Sequence, residues 1–197
     1  MMEKSAFQIK VLHMKIAIVS DIHDNVWTLK AALTQLQTAS ILLCCGDLCS
    51  PFIVGLMAEA FSGAIHIVEG NNEGDWRRIS QAAGKFPNVH LHGEFFEDEI
   101  DGQQVAINHY PNIALPLAQS GKYDLVCYGH DHRFAIEQRG STLSLNPGAL
   151  LGYDPVSKQD IPATFIIYDT QLHSAAGYQV LTKMRVENSG QSAVSYP

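Results

Sequence analysis

The chain has 197 residues, 46% of them hydrophobic, enough to bury one sizeable core. Lysine and arginine total 13 against 20 acidic residues, a formal charge of -7, which argues against a broad electrostatic surface for nucleic acid or for an anionic membrane. No apolar run approaches the roughly 20 residues that cross a bilayer, and Met1 to His13 lack the apolar stretch of a secretory leader.

Residues 1–13 read as an extension, and Met14 opens a more strand-like segment. Lys15 to Ser20 is a short buried strand. Asp24 or Asn25 can cap a helix whose apolar face runs Val26, Leu29, Leu33, Leu36. Ile41 to Cys45 is a second strand, and Ser50-Pro51 marks an N-cap with proline at the first helical position, Gly63 lying beyond the end. Ile65 to Glu69 is a third strand, followed by a helix around Trp76 to Ala83. This alternation implies parallel strands with right-handed crossovers.

After Pro87 the texture changes. Val89–Leu91, Phe95–Ile100 and Val105–Asn108 read as strands, with Asp101-Gly102 as a hairpin turn. A helix ending near Gly121 leads to a buried strand over Asp124–Tyr128. Further strands are predicted at Phe134–Gln138, Thr142–Leu145, Thr164–Tyr168 and about Gly177–Val186. Two mixed β-sheets face to face with helices on the outer faces, a four-layer αββα sandwich of α/β class, account for this mixture better than one open sheet. Residues 14–186 are expected to form one domain, and the small, polar tail 187–197 to be disordered. The four cysteines (Cys44, Cys45, Cys49, Cys127) contain no CxxC pair, so they read as reduced residues of a cytoplasmic protein.

Five motifs each follow an apolar strand: Asp21-Ile22-His23, Gly46-Asp47, Gly70-Asn71-Asn72-Glu73, His109 and Gly129-His130-Asp131-His132. Ligands of α/β folds bind outside the carboxyl ends of strands, so strands ending on one rim would gather these side chains. Two carboxylates, four imidazoles and one amide oxygen make a mixed nitrogen and oxygen donor set. It suits manganese, iron, zinc, nickel or cobalt rather than calcium. Two ions sharing only Asp21, His23, Asp47, Asn71, His109, His130 and His132 need a bridging ligand, and Asp47 is the natural one. Such a pair would also reverse the local field, so the acidic balance does not exclude an anionic substrate.

The ordered set D-x-H, G-D, G-N-x-[DE], strand-end H and G-H-x-H resembles the calcineurin-like metallophosphoesterase superfamily. The resemblance runs over about residues 14–170 and includes the turn Asn146-Pro147-Gly148. It is nearest to the small bacterial and archaeal phosphodiesterases related to the retromer subunit of this fold. It implies one metal on Asp21, His23, Asp47 and His132 and a second on Asp47, Asn71, His109 and His130, manganese first, with a bridging hydroxide as nucleophile. Asp47, His109 and Asn71 would be the catalytic residues, the substrate a small-molecule or nucleotide phosphodiester, and the protein a homo-oligomer.

Three positions depart from the pattern. Asn72 stands where many relatives carry a histidine thought to be the general acid. Leu48-Cys49-Ser50-Pro51 lacks the extended second motif of the protein phosphatases. Tyr110 follows His109 where glycine is usual, narrowing the pocket. With no protein acid at Asn72, activated diesters are the expected substrates.

Asn25, Asn72 and Arg77 are candidate substrate contacts, although Asn25 can equally be a cap and Arg77 and Arg78 exposed helix residues. Glu73 is expected to support the site or cap the next helix. His13, His66 and His173 read as structural, and His90 and His92 as surface or inter-sheet residues on one strand face. The competing function is a non-catalytic metal-binding scaffold of the same fold. A nuclease is disfavoured by the acidic balance and the absence of a basic, aromatic groove.

Overall fold

The computed structural model describes residues 14–180. The expected extension over residues 1–13, the tail 187–197 and the stretch of the last strand up to Val186 lie outside the described residues.

The elements run β1 (Lys15–Val19), α1 (Val26–Gln35), β2 (Ile41–Cys44), α2 (Pro51–Ala60), β3 (Ala64–Ile67), α3 (Trp76–Ala83), β4 (Val89–Leu91), β5 (Phe95–Ile100) and β6 (Gln103–Asn108). Then come α4 (Pro111–Gln119), β7 (Leu125–Cys127), β8 (Ala135–Arg139), β9 (Thr142–Asn146), β10 (Tyr153–Asp154), β11 (Gln159–Asp160), β12 (Thr164–Asp169) and β13 (Ser174–Gln179). One sheet has the order β13-β12-β1-β2-β3-β4, the other β5-β6-β7-β9-β8. Strands β1 to β4 are parallel, as the alternation with helices requires, and β12 joins β1 antiparallel.

The sheets stack through apolar side chains on their inner faces: Ile16, Ile18, Leu43 and Val68 meet Phe96, Val105, Ile107, Leu125 and Leu145. On the outer face of the larger sheet, Ala17, Val19, Leu42 and Ile65 pack under Leu29, Leu33, Met57 and Ile79 of the helices. Helix α4 covers Ala106 and Val126 of the smaller sheet with Ala114 and Ala118. Strands covered on both faces explain the continuous apolar runs KIAIV and ILLC. The result is the αββα sandwich. No helix among the described residues is long and apolar enough to cross a membrane.

Local chemistry settles the element ends. Asn25, not Asp24, caps α1: its Oδ1 accepts from Thr28 N and its amide donates to Leu151 O. Ser50 stands at the N-cap of α2 without a side-chain cap bond, because its hydroxyl donates to Asp24 Oδ2. Asp75 caps α3 by accepting from Arg78 N, a cap the sequence reading assigned to Glu73 as one of two roles. The hairpin β10–β11 is an addition, absent from the predicted elements because Tyr153-Asp154 and Gln159-Asp160 carry no apolar alternation.

His66 lies on the inner sheet face beside His92, His90 and the ring of Phe96. Burial, then the repulsion of His92 and His90 against a smaller opposing pull from Asp98, lowers its pKa to about 4. An unfolded histidine titrates near 6.5. Between these values the unfolded chain binds the extra proton, so the cluster's contribution is complete above pH 6.5 and declines as pH falls toward 4. Chemical denaturation of wild type and His66→Gln across this window should show the steeper acid loss in wild type; parallel curves would contradict it.

Candidate metal centre

Strands β1, β2, β6 and β7 end on one rim, together with the loop after β3, and each delivers its motif there. The backbone is strained where it turns. Asp21, His23, Asp47, His130 and His132 all have positive φ, at 52, 43, 55, 74 and 58°. Non-glycine residues adopt this left-handed region rarely, and such strain persists only where surrounding structure over-determines it.

Cross-links between the loops supply that constraint. Asp24 accepts from the backbone nitrogen and hydroxyl of Ser50, at 3.0 and 2.6 Å, tying the first loop to the second. Glu73 accepts from Cys49 N and Gly70 N, tying the second to the third. Asp131 accepts from the Asn146 amide at 2.7 Å, so the Asn146-Pro147-Gly148 turn holds the last motif. Gly70 and Gly129 permit close approaches to the two carboxylates. A Cβ on Gly70 would lie 2.2 Å from Asp47 Oδ1, and one on Gly129 would lie 1.9 Å from Ser20 Oγ and 2.6 Å from Asp21 Oδ2.

All seven predicted side chains come together, their nitrogen and oxygen atoms facing one another at the rim. His23 Nε2 and His132 Nε2 stand 3.3 Å apart. Asp21 Oδ1 lies 3.4 Å from His132 Nε2 and 3.8 Å from His23 Nε2. Asp47 Oδ2 is placed between His23 Nε2 at 3.5 Å and His109 Nε2 at 3.6 Å. Asn71 Oδ1 lies 3.1 Å from His109 Nε2 and 2.7 Å from His130 Nδ1. Two carboxylate-imidazole groups, Asp21/His23/His132 and Asp21/Asp47/His109, have ligand atoms close enough to share an ion.

Hydrogen bonds at the rear orient the rings. A carbonyl can only accept, so His109 Nδ1 donates to Cys45 O at 2.7 Å and His132 Nδ1 to Tyr153 O at 3.3 Å. In the neutral rings both Nε2 atoms then carry a lone pair toward the centre, the arrangement of a metal-binding imidazole. Tyr110 packs edge-on against the rings of His109 and His130, each 5.1 Å away between centroids.

The electrostatics fit a cation. Asp21 is fully buried, and among the described residues its Oδ1 has no hydrogen-bond partner. Burial alone would raise its pKa, but His132 and His23 outweigh that and hold the carboxyl below the usual carboxylate range. Asp21 in turn raises His132 against the effect of burial. Without a metal, a proton on an imidazole is what relieves the crowding; a divalent ion would replace it and release it.

The candidate substrate contacts fare differently. Both ends of the Asn25 amide are engaged with Thr28 and Leu151. Asn72 is exposed, its Nδ2 and backbone N donating to Asp47 at 2.7 and 2.8 Å. Arg77 is exposed on α3. A cavity of about 350 Å³ beside the centre is lined by His130, His132, Arg133, Asp154 and Val156. Arg133 and the β10–β11 hairpin are additions to the sequence reading. Arg133 directly follows the last motif, and that adjacency was the available signal.

The sequence profile of the calcineurin-like phosphoesterase superfamily domain matches residues 14–172. The chain belongs to this superfamily. A phosphodiesterase of Methanocaldococcus jannaschii is 29% identical over 144 residues, 71% of this chain and 86% of the relative. The solved structure of an archaeal phosphodiesterase superposes with a TM-score of 0.76 at 26% identity, over 84% of this chain and 99% of that one. Two further structures share the fold. They are vacuolar protein sorting 29 from Cryptosporidium parvum (TM-score 0.59, 16% identity, 84% and 96% covered) and the E. coli phosphoesterase Yfce (0.59, 18%, 85% and 100%). These relatives match the small branch the motifs indicated, and the chain is a metal-dependent phosphoesterase.

The close contacts of Gly70 and Gly129 generate a direct test. Gly129→Ala and Gly70→Ala should each destabilise the chain by about 1–3 kcal/mol, the usual effect of forcing a methyl into packed surroundings. Each should also lower divalent-metal affinity, read by thermal melts and metal titration. Unchanged affinity in both variants would show that the carboxylates are not held where these contacts place them.

Proposed function

We propose that the protein hydrolyses a small-molecule or nucleotide phosphodiester with two divalent cations held by Asp21, His23, Asp47, Asn71, His109, His130 and His132. The observation that carries this reading is the position of Asp47 Oδ2, 3.5 and 3.6 Å from imidazoles belonging to the two halves of the site. A carboxylate so placed suits a bridge between two ions. The M. jannaschii relative supports the diester assignment. The donor set favours manganese, with nickel, iron, zinc or cobalt as alternatives.

Bound cations would supply Lewis acidity and a water nucleophile active at neutral pH. The protein's own residues do the rest. Asn72 fixes the orientation of Asp47 through two hydrogen bonds. Tyr110 and the carbonyls of Cys45 and Tyr153 set the imidazole planes. Asn72 has no titratable proton and its amide is committed to Asp47, so no side chain at that position protonates the leaving group. The reaction therefore favours esters whose leaving group departs as a stable anion.

With manganese present, wild type should hydrolyse an aryl phosphodiester faster than an alkyl phosphomonoester. Asp47→Asn and His109→Ala should each lose roughly 100-fold or more in kcat/KM, as several kcal/mol of transition-state stabilisation disappear. The reverse substrate order would refute the diester assignment. Wild-type rates in both variants would refute the site.

A further inference from the structure

A second group of imidazoles sits at the edge of the larger sheet, apart from the seven donors. His66 on β3 is in register with His90 on β4, and His92 follows two residues after His90, so strand alternation puts all three on one face. That face points between the sheets, because the alternating neighbours Ile65, Ile67 and Val89 pack against the helices. His66 Nδ1 lies 3.0 Å from His92 Nε2, with the ring planes within 10° of each other. The His90 ring is 5.2 Å from that of His66, and His90 is exposed.

The opposite wall comes from β5, the edge of the other sheet. Phe96 packs on His66 and His92, at 4.8 and 4.4 Å between centroids. Asp98, two residues on, shares that strand face and acts electrostatically on both histidines. Burial and mutual repulsion lower the pKa of His66 and of His92, so both rings are neutral near pH 7 and offer lone pairs.

We propose that His66, His90 and His92, with Asp98 as the adjacent carboxylate, form a binding site for one transition-metal cation of the zinc class. Two imidazole nitrogens about 2.0–2.1 Å from a tetrahedral ion stand roughly 3.3 Å apart. The His66–His92 pair needs to open by only a few tenths of an ångström to reach that spacing. The ligand nitrogens His23 Nε2 and His132 Nε2 of the metal centre already stand at 3.3 Å. A set dominated by imidazole suits zinc, copper or nickel over manganese or magnesium. His90 completes the imidazole set by rotating toward the pair, and Asp98 offsets the charge. The ion would join β3 and β4 of one sheet to β5 of the other, across an edge where His92, Gly93 and Glu94 are the direct covalent link between β4 and β5.

The test is zinc titration of the full-length, metal-stripped chain, comparing wild type with His90→Ala, Asp98→Asn and the His66→Gln/His92→Gln double variant. Wild type should bind one equivalent more than the double variant, and His90→Ala should weaken that equivalent by about tenfold or more. His90→Ala should keep wild-type aryl diesterase activity, which separates this site from the centre at the strand ends. Equal zinc binding by all four proteins would overturn the proposal and leave the His66–His92 contact as a hydrogen bond alone. If the double variant fails to fold, nitrogen-15 imidazole spectra of wild type decide: zinc must shift the His66 and His92 ring resonances, and unmoved resonances overturn the site.

Discussion

Two carboxylates, Asp21 and Asp47, are buried at the rim of the sheets, and among the described residues the ion pairs they make are with histidines only. A charge removed from water is expensive unless it is paired and hydrogen-bonded. Histidines pair with it only when protonated, and four protonated imidazoles in this space would repel one another. A cation resolves both difficulties at once, since carboxylate oxygens and neutral imidazole nitrogens can all turn toward it. The architecture of the rim follows from that requirement.

Positioning such a set demands backbone geometry that ordinary strand ends do not provide. The left-handed turns at Asp21, His23, Asp47, His130 and His132 are each costly, by about 1–3 kcal/mol. The hydrogen bonds from Ser50 to Asp24, from Cys49 and Gly70 to Glu73, and from Asn146 to Asp131 hold those turns in place. Asp24, Glu73 and Asp131 are therefore positioning residues: each accepts bonds from a neighbouring loop. The stacked sheets beneath supply the rigid base, which is why a site assembled from five distant motifs keeps its geometry.

Much of this was legible in the chain. Strands buried on both faces leave apolar runs, so KIAIV, ILLC and the segment before Asn108 were readable with only their ends displaced. The gathering of the seven side chains was readable because each follows such a run, and because strands that end together bring distant motifs together. The caps were less so: Asp24 and Asn25 are both good N-cap residues, and only the tertiary partner Ser50 of Asp24 separates their roles. The two hydrogen bonds from Asn72 to Asp47 were not readable, because they follow from three-dimensional register that spacing does not encode. The β10–β11 hairpin escaped notice because its two short strands carry no apolar alternation. His66 was read as structural and His90 and His92 as surface or inter-sheet residues on one strand face; grouping all three required the β3–β4 register.

If bound cations satisfy the buried carboxylates, folding and metal binding must be linked. Thermal melts of the metal-stripped full chain with increasing manganese test it most directly. At about 100 times Kd a single site contributes roughly 2.7 kcal/mol, which for a chain of this size raises Tm by about 5–10 °C. A rise of that order is expected in wild type and a much smaller one in Asp47→Asn. A wild-type Tm indifferent to manganese, in protein that still hydrolyses phosphodiesters in its presence, would contradict it.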